Sequence, residues 1–486
     1  MFKTSNSRAF GSCPNEMTRR GFVGGLAAAF GGLVLPADAF GAGAANLKFG
    51  VVSDVHIGAD RSGHKADTET RLEKALRWFD AQGVDAVMVP GDIAHSGKIS
   101  ELERFAAVWN RVFPNDRGAD GRIVARLFVT GNHDLEAWWL KGDDAWRAAN
   151  VFNFGENPQR VWRRLFHEDW QLVWKKTVKG YTFVGSQWPT KAAKPPVEEW
   201  FRAHADELKG PKPFFYVQHA HPKGTCGLDL ISYDDGTSTR ALTPFANAVA
   251  ITGHSHQTLT DDSSVWQGAF TSVNAGCLRS GANDRWHSGY DSIFPHYSAK
   301  RKLNRMIPLD GTEGGCGLLV EVFDSHLVIR RRSFADDAAL GADWCVALPP
   351  AAGGPYDPKR QKAESVGPEF APGARPEAVR CAVAPQEIAG PALAGKPCVW
   401  VKIPHPRTVR PGSRVYDFEV ELRVDGQGGL TRLVLANGFN VPEARADRMS
   451  CCLFGADEVP ASGEVSFAVT PRNAFGVAGR AAVVKL

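Results

Sequence analysis

The chain carries little excess charge of either sign, a formal +4 over 486 residues. Binding nucleic acid without specificity needs a strong basic field, and that is missing. Lys3, Arg8, Arg19 and Arg20 against Glu16 and Asp38 put about half of the surplus in the first 40 residues, so the body is nearly neutral and no specific nucleic-acid partner is expected. No Cys-x-x-Cys pair occurs, which removes the usual mark of a zinc knuckle. Internal repeats and low-complexity tracts are also lacking. The apolar stretch 21–35 falls short of the roughly 20 residues that a membrane-spanning helix needs. What remains is an ordinary globular composition, 43% hydrophobic, long enough for two or three domains around sizeable cores.

At the amino end, Thr18-Arg19-Arg20-Gly21-Phe22-Val23 leads into that Gly/Ala-rich apolar stretch. Two small-residue cleavage candidates follow, Ala37-Asp38-Ala39 and Ala42-Gly43-Ala44. This resembles a twin-arginine export signal over residues 1–44. It implies a periplasmic or otherwise exported protein, with the twin-arginine translocase as a transient partner and no stable membrane span after cleavage. Cys13 would leave with the signal. Eight cysteines then remain, four early (Cys226, Cys277, Cys316, Cys345) and four late (Cys381, Cys398, Cys451, Cys452). An oxidising compartment allows two bridges in each half; eight buried thiols are the alternative.

Short β-branched runs alternate with amphipathic stretches along the first body segment. Strands are expected at 47–53, 84–89 and 123–130, and helices at 66–82 and 99–113. Leu72, Ala75, Leu76 and Phe79 recur at helical spacing, so the first helix packs on a sheet face. Further strands are expected at 181–185, 214–218, 249–252, 269–274, 318–323 and 327–333. Together these give an α/β fold, a two-layered sheet core flanked by helices, over residues 45–335. Residues 336–378 turn rich in Ala, Pro and Gly, with Pro349, Pro350 and Pro355 the clearest break, and read as a linker or irregular wrap. Beyond it, runs at 398–403, 415–424, 431–436 and 464–470 read as a small β-sandwich over 379–486. Its residues 467–476 resemble the last hairpin of a fibronectin type III module.

Each polar motif directly follows an expected strand, the edge at which α/β sheets place binding residues. Asp54-Val55-His56 follows the first strand, Gly91-Asp92 the second and Gly131-Asn132-His133-Asp134 the third. His219 follows 214–218, and Gly253-His254-Ser255-His256 follows 249–252. Alone, each of these is a common turn sequence. Five in this order on this strand pattern point to one site.

The set resembles the calcineurin-like metallophosphoesterases over about residues 47–335. That resemblance implies that Asp54, His56, Asp92 and His256 hold one divalent ion, while Asp92, Asn132, His219 and His254 hold another, with the Asp92 carboxylate bridging. Carboxylate, amide and imidazole donors without a thiolate suit manganese, iron or zinc. A hydroxide held by two ions roughly 3.5–4 Å apart is then the expected nucleophile for hydrolysis of small phosphodiesters or phosphomonoesters. His133 is implied as the group that protonates the leaving oxygen or stabilises the transition state. Asp134 either orients His133 or caps a helix.

The fourth motif reads His219-Ala220-His221-Pro222, so either histidine can be the ligand, and His219 is preferred because it follows the strand directly. In purple acid phosphatases a Tyr stands three residues after the bridging Asp and a Gly replaces the first-motif His. Here those places hold His95 and His56, which brings the resemblance closer to the cyclic-nucleotide and glycerophosphodiester branch. His95 is a candidate substrate contact, as are His221 and the basic, aromatic stretch 278–307 with Arg285 and His287; an interdomain wrap is the alternative for that stretch. Trp138, Trp139 and Trp146 either wall the site or belong to the core. A non-catalytic exported protein, in which the β-sandwich does the work, is the competing function.

Overall fold

The computed structural model describes residues 43–486, apart from 59–66, 138, 227–233, 257–258, 261, 280–301, 304–314, 386–392, 394, 408–413 and 437–448. The export signal, Trp138, Arg285 and His287 lie outside the described residues.

Strands β1 (Leu47–Val51), β2 (Ala86–Pro90) and β3 (Ala125–Val129) pair in parallel, with helices α1 (Asp67–Ala81) and α2 (Ile99–Val112) between them in the chain. Three further helices follow β3: α3 (Asn132–Leu135), α4 (Asp144–Asn150) and α5 (Asn157–Phe166). The chain then builds a second sheet from β4 (Val173–Val178), β5 (Tyr181–Ser186), β6 (Phe214–Val217), β7 (Ala248–Thr252), β8 (Val265–Gln267) and β9 (Thr271–Asn274). Their spatial order is β4-β5-β6-β7-β9-β8, and β5, β6, β7 and β9 are parallel neighbours. After β10 (Lys302–Leu303) come β11 (Cys316–Val322), β12 (His326–Ser333), β13 (Ala338–Ala339) and β14 (Trp344–Ala347). These return to the first sheet, where β11 lies antiparallel to β1 and β12 carries both β13 and β14.

The sequence alternation sorts side chains between layers. In β6, Phe215 and Val217 enter the core between the sheets, while Phe214 and Tyr216 pack under the helix Val197–Ala203. A strand covered on both faces reads as continuously apolar for this reason. Between the sheets, the Phe49 ring meets Phe183 and Phe215 edge-on, with centroids 5.5 and 5.0 Å away. On the outer face of the first sheet, Leu72, Ala75, Leu76 and Phe79 of α1 are fully buried, as their spacing predicts. Burying a Leu or Phe contributes roughly 1.5–3 kcal/mol each, so this stripe alone anchors the helix.

The expected linker does not run as an irregular segment throughout. Its first part supplies β13 and β14, and Trp344, Val346, Leu348 and Tyr356 enter the inter-sheet core. Alternation at Trp344, Val346 and Leu348 carries this, and it was outweighed by the surrounding Ala, Pro and Gly. A helix, Pro358–Glu364, follows, capped by the Asp357 carboxylate accepting from the Lys359 and Arg360 amides.

Beyond it, β15 (Glu377–Cys381), β16 (Cys398–Ile403), β17 (Asp417–Val424), β18 (Gln427–Leu435), β19 (Ser450–Gly455), β20 (Val465–Arg472) and β21 (Ala482–Lys485) form a β-sandwich of two sheets, β15-β16-β19 and β10-β18-β17-β20-β21. Val399, Val401, Phe418, Val420, Phe454 and Phe467 fill the space between them. Strand β10 comes from the long 278–307 stretch and pairs in parallel with Arg432–Leu433. At least these two residues of that stretch therefore belong with the carboxy-terminal module. No disulfide joins any of the eight described cysteines, so of the two alternatives the thiol form is the one present among the described residues.

Candidate active site

The five motifs meet at the carboxyl ends of the parallel strands of both sheets. Pairing continues past the strands into the loops: the Asp54 amide donates to Gly91, His56 to Asp92 and Ile57 to Ile93, while Gly253 donates to His219 at 2.9 Å. The loops are thereby held in register as the strands are. Asp54, His56, Asp92, His254 and His256 all have left-handed backbone, with φ between 48° and 64°. That conformation costs about 1–3 kcal/mol for a residue that is not glycine, and it persists only where the surroundings enforce it. Its effect here is to turn successive side chains inward. Two of the motif glycines are needed for room. A Cβ on Gly131 would run into Asp92, 2.6 Å from its amide nitrogen, and one on Gly253 would collide with the Ser53 hydroxyl and lie 2.5 Å from Asp54 Oδ2.

The inward side chains form one buried cluster. His256 Nε2 lies 2.9 Å from Asp54 Oδ1, and His56 Nε2 lies 3.6 Å from Asp92 Oδ2. On the other side, His219 Nε2 stands 3.3 Å from Asp92 Oδ2, 3.1 Å from Asn132 Oδ1 and 3.1 Å from His254 Nδ1. The His219 Nδ1–H donates to the Pro90 carbonyl at 2.7 Å, which leaves its Nε2 aimed at the cluster. This is how proteins commonly orient an imidazole toward a metal. Asp92 therefore stands between two groups, Asp54, His56 and His256 on one side and Asn132, His219 and His254 on the other.

The donor set fits divalent cations. His56 Nε2 is buried and makes no hydrogen bond, and burial, then the neighbouring charge of His133 and Arg279, holds its pKa well below the ordinary value. Burial alone would also lower His219, but Asp92 and Asp54 outweigh it and push His219 up to about 9. Against burial, His219 and His133 hold the Asp92 carboxyl well below the usual carboxylate range. Two buried carboxylates, 0% and 2% exposed, thus impose a demand for positive charge at this point, which bound cations would meet.

His133 stands beside the cluster rather than in either group. Its amide donates to Asp92 Oδ1 at 2.9 Å, its Nδ1 lies 2.7 Å from the His95 carbonyl, and its ring is 4.6 Å from that of His56. Asp134 does not orient it. The Asp134 carboxylate accepts from the amides of Ala94 (2.7 Å), Gly131 (2.8 Å) and Ile93 (3.2 Å), which caps α3 and clamps the second motif's loop to the third's. Burial and the nearby Asp92 charge raise its pKa to about 7. The His133 ring is held instead by a backbone carbonyl, which no side-chain pattern announces.

His95, expected to contact substrate, turns its Nδ1 toward His56 Nδ1 at 3.4 Å and stacks on His133, so it supports two site histidines. Of the two histidines in the fourth motif, His219 joins the cluster and His221 is buried outside it. Trp139 lies 5.7 Å from the His133 ring, as a wall of the site, whereas Trp146 is 37% exposed and belongs neither to the wall nor to the core.

Several residues that the motifs did not suggest complete the surroundings. The Asn274 amide group donates to Gly253 O and Ser255 Oγ, tying down the fifth motif. The Trp188 ring lies 5.6 and 5.4 Å from those of His219 and His254, and its Nε1–H donates to Glu136 at 2.8 Å. Arg279 is 7% exposed, and its amide donates to the Asp54 carbonyl. Asn274 ends β9 and Trp188 stands two residues past β5, and this strand-end position is the one signal that could have pointed to them.

Residues 47–258 match the family model of the calcineurin-like phosphoesterases. Among solved structures, the chain is similar to a dimetal phosphatase from Danio rerio, at 10% identity and a TM-score of 0.36, over 63% of this chain and 99% of that one. A purple acid phosphatase from yellow lupin (Lupinus luteus) seeds is similar at 12% identity and a TM-score of 0.38, over 62% of this chain and 53% of that one. An archaeal phosphodiesterase is similar at 12% identity and a TM-score of 0.23, over 62% and 100%. No curated protein matches the chain. On the family match and the chemistry of the cluster, residues 47–258 are a calcineurin-like metallophosphoesterase domain, and the chain is a metal-dependent phosphoric ester hydrolase.

Proposed function

We propose that this hydrolase is an exported enzyme working with two divalent ions, manganese, iron or zinc, and that it cleaves small phosphodiesters or phosphomonoesters. The observation that carries the two-ion reading is the position of Asp92, whose Oδ2 lies within 3.6 Å of His56 Nε2 on one side and 3.3 Å of His219 Nε2 on the other. Asp54, His56, Asp92 and His256 would hold one ion, and Asp92, Asn132, His219 and His254 the second. When bound, such ions supply Lewis-acid stabilisation of the phosphoryl oxygens and an activated water.

The chain's own groups do the rest. Asp54 and Asp92 supply the negative charge that retains the cations. The His219–Pro90 hydrogen bond fixes the ring that faces Asn132 and His254. The His95 carbonyl takes up His133 Nδ1, leaving His133 Nε2 as the atom able to pass a proton to the leaving oxygen. Asp134 keeps the two loops that carry Asp92 and His133 at a fixed separation.

The test is hydrolysis of bis-p-nitrophenyl phosphate and p-nitrophenyl phosphate with manganese, iron or zinc, together with elemental analysis. Two ions per chain and turnover of either ester are expected; one ion at full activity removes the two-ion reading. Export through the twin-arginine pathway rests on Arg19 and Arg20 and the apolar stretch behind them. Replacing both with Lys is expected to strand the protein in the cytoplasm, and an unchanged periplasmic yield overturns that part.

A further inference from the structure

Trp188, whose ring faces His219 and His254, also lines an open pocket of about 870 Å³ beside the cluster. Leu135, which also lines it, closes the short helix that begins with Asn132. Trp188 therefore borders both the proposed Asn132, His219 and His254 side of the centre and the pocket.

The cavity's chemistry differs from that of the cluster. Arg160, Arg163 and Arg164 line it, three and four residues apart on α5 and so on one face of the helix. Glu156 is the one acidic residue among the lining side chains. Arg163 is fixed by Asp169 at 2.5 Å and Arg164 by Glu103 at 2.7 Å. Arg160 gives one nitrogen to Asn157 Oδ1 at 2.6 Å and pairs with no carboxylate among the described residues. Its remaining donors are available to an anion. Trp170 and Trp188 supply apolar walls. A cavity of this size, mostly apolar with a few convergent polar groups, suits a small organic ligand, and the guanidinium fork matches phosphate or carboxylate oxygens.

We propose that this cavity receives a second anionic group of the substrate, carried on the part of the phosphoester away from the bond being cleaved. Arg160 is the principal contact and Arg163 the second. The proposal rests on the reading of the cluster as a phosphoester centre. The arginines touch no reacting atom, so their effect belongs to KM and to ligand binding rather than to kcat.

Thymidine 5′-(p-nitrophenyl phosphate) and the same ester bearing a 3′-phosphate share one leaving group and differ only in the second anion. The metal-loaded full chain is expected to favour the doubly phosphorylated ester at least about tenfold in kcat/KM, through KM. Arg160→Gln with Arg163→Gln is expected to bring that ratio to about one, while the singly charged ester stays within about twofold. Arg160→Lys, which keeps the charge, should retain part of the preference. Calorimetry with thymidine 3′,5′-bisphosphate against thymidine 5′-phosphate reads the cavity without turnover, and the same tenfold difference should appear and vanish with the same variants. Turnover of both esters without any preference, or a preference that survives both Gln substitutions, overturns the proposal and leaves the hydrolase reading intact. A binding difference that depends on Arg160, in a protein that turns over neither ester, supports the cavity and removes the hydrolase reading instead.

Discussion

The strand-end loops of the catalytic domain and the interior of the carboxy-terminal sandwich are both largely buried, yet they are built in opposite ways. At the loops, five side chains with left-handed backbone crowd two carboxylates and several imidazoles into one point. Between the sandwich sheets, Phe418, Val420, Phe454 and Phe467 pack from regular strands, with the Phe454 and Phe467 rings 5.0 Å apart. Convergent left-handed backbone and buried charge of that density would weaken the second region for no return. In the first they are tolerated because a bound cation can compensate them. Left-handed backbone that turns buried carboxylates and imidazoles onto one point is thus what separates this centre from the sandwich core.

Substituting Asp92, which stands between the two groups of donors, breaks this contrast most directly. Asp92→Asn should abolish measurable turnover and release metal, because both groups of donors face the same carboxylate; full metal content at full activity, by elemental analysis and ester assay, would overturn the assignment. His133→Ala should act differently, since His133 stands beside the cluster. Metal content should stay near normal, while kcat/KM falls about 10²–10⁴-fold on an alkyl phosphoester and less on a p-nitrophenyl ester, whose leaving group needs less protonation. An equal fall on both esters would assign His133 to the phosphoryl oxygens instead.

In the sandwich, Phe467→Ala should destabilise that module by about 3–5 kcal/mol, read by denaturant titration, yet leave metal content and kcat unchanged below its melting range. Loss of activity in that variant would show that the two regions depend on each other. The smallest effect concerns the cysteines. Cys381 and Cys398 are direct partners across β15 and β16, whereas Cys451 and Cys452 stand opposite Lys402 and Val401. Under oxidising conditions Cys381 and Cys398 should therefore crosslink first, adding at most about 3 kcal/mol for so short a loop. Mass spectrometry of unreduced peptides checks this, and a bridge involving Cys451 or Cys452 would contradict the register.

Much of the architecture was legible because periodicity is a local property. The stripe Leu72, Ala75, Leu76 and Phe79, and the doubly covered strand Phe214–Val217, each follow from spacing within a few residues. The strands β13 and β14 were not legible. Trp344, Val346 and Leu348 alternate over too short a run to stand out from Ala, Pro and Gly, and only pairing with β12 makes them strands. The candidate ligands were legible because each directly follows a strand. Trp188, Asn274 and Arg279 follow or neighbour strands as well, but no spacing distinguishes them from loop residues with nothing to do.

By itself the sequence determined which residues carry the chemistry and in what order the strands deliver them, because residue type and local period do not depend on distant partners. Only the tertiary structure decided how those residues face one another. It chose His219 over His221, set Asp134 on three amides rather than on His133, turned His95 onto His56, and opened an arginine-lined pocket beside Trp188. Each of these depends on atoms brought together from separate chain positions, as far as 87 residues apart for His219 and Asn132, and on the packing that the surrounding fold imposes.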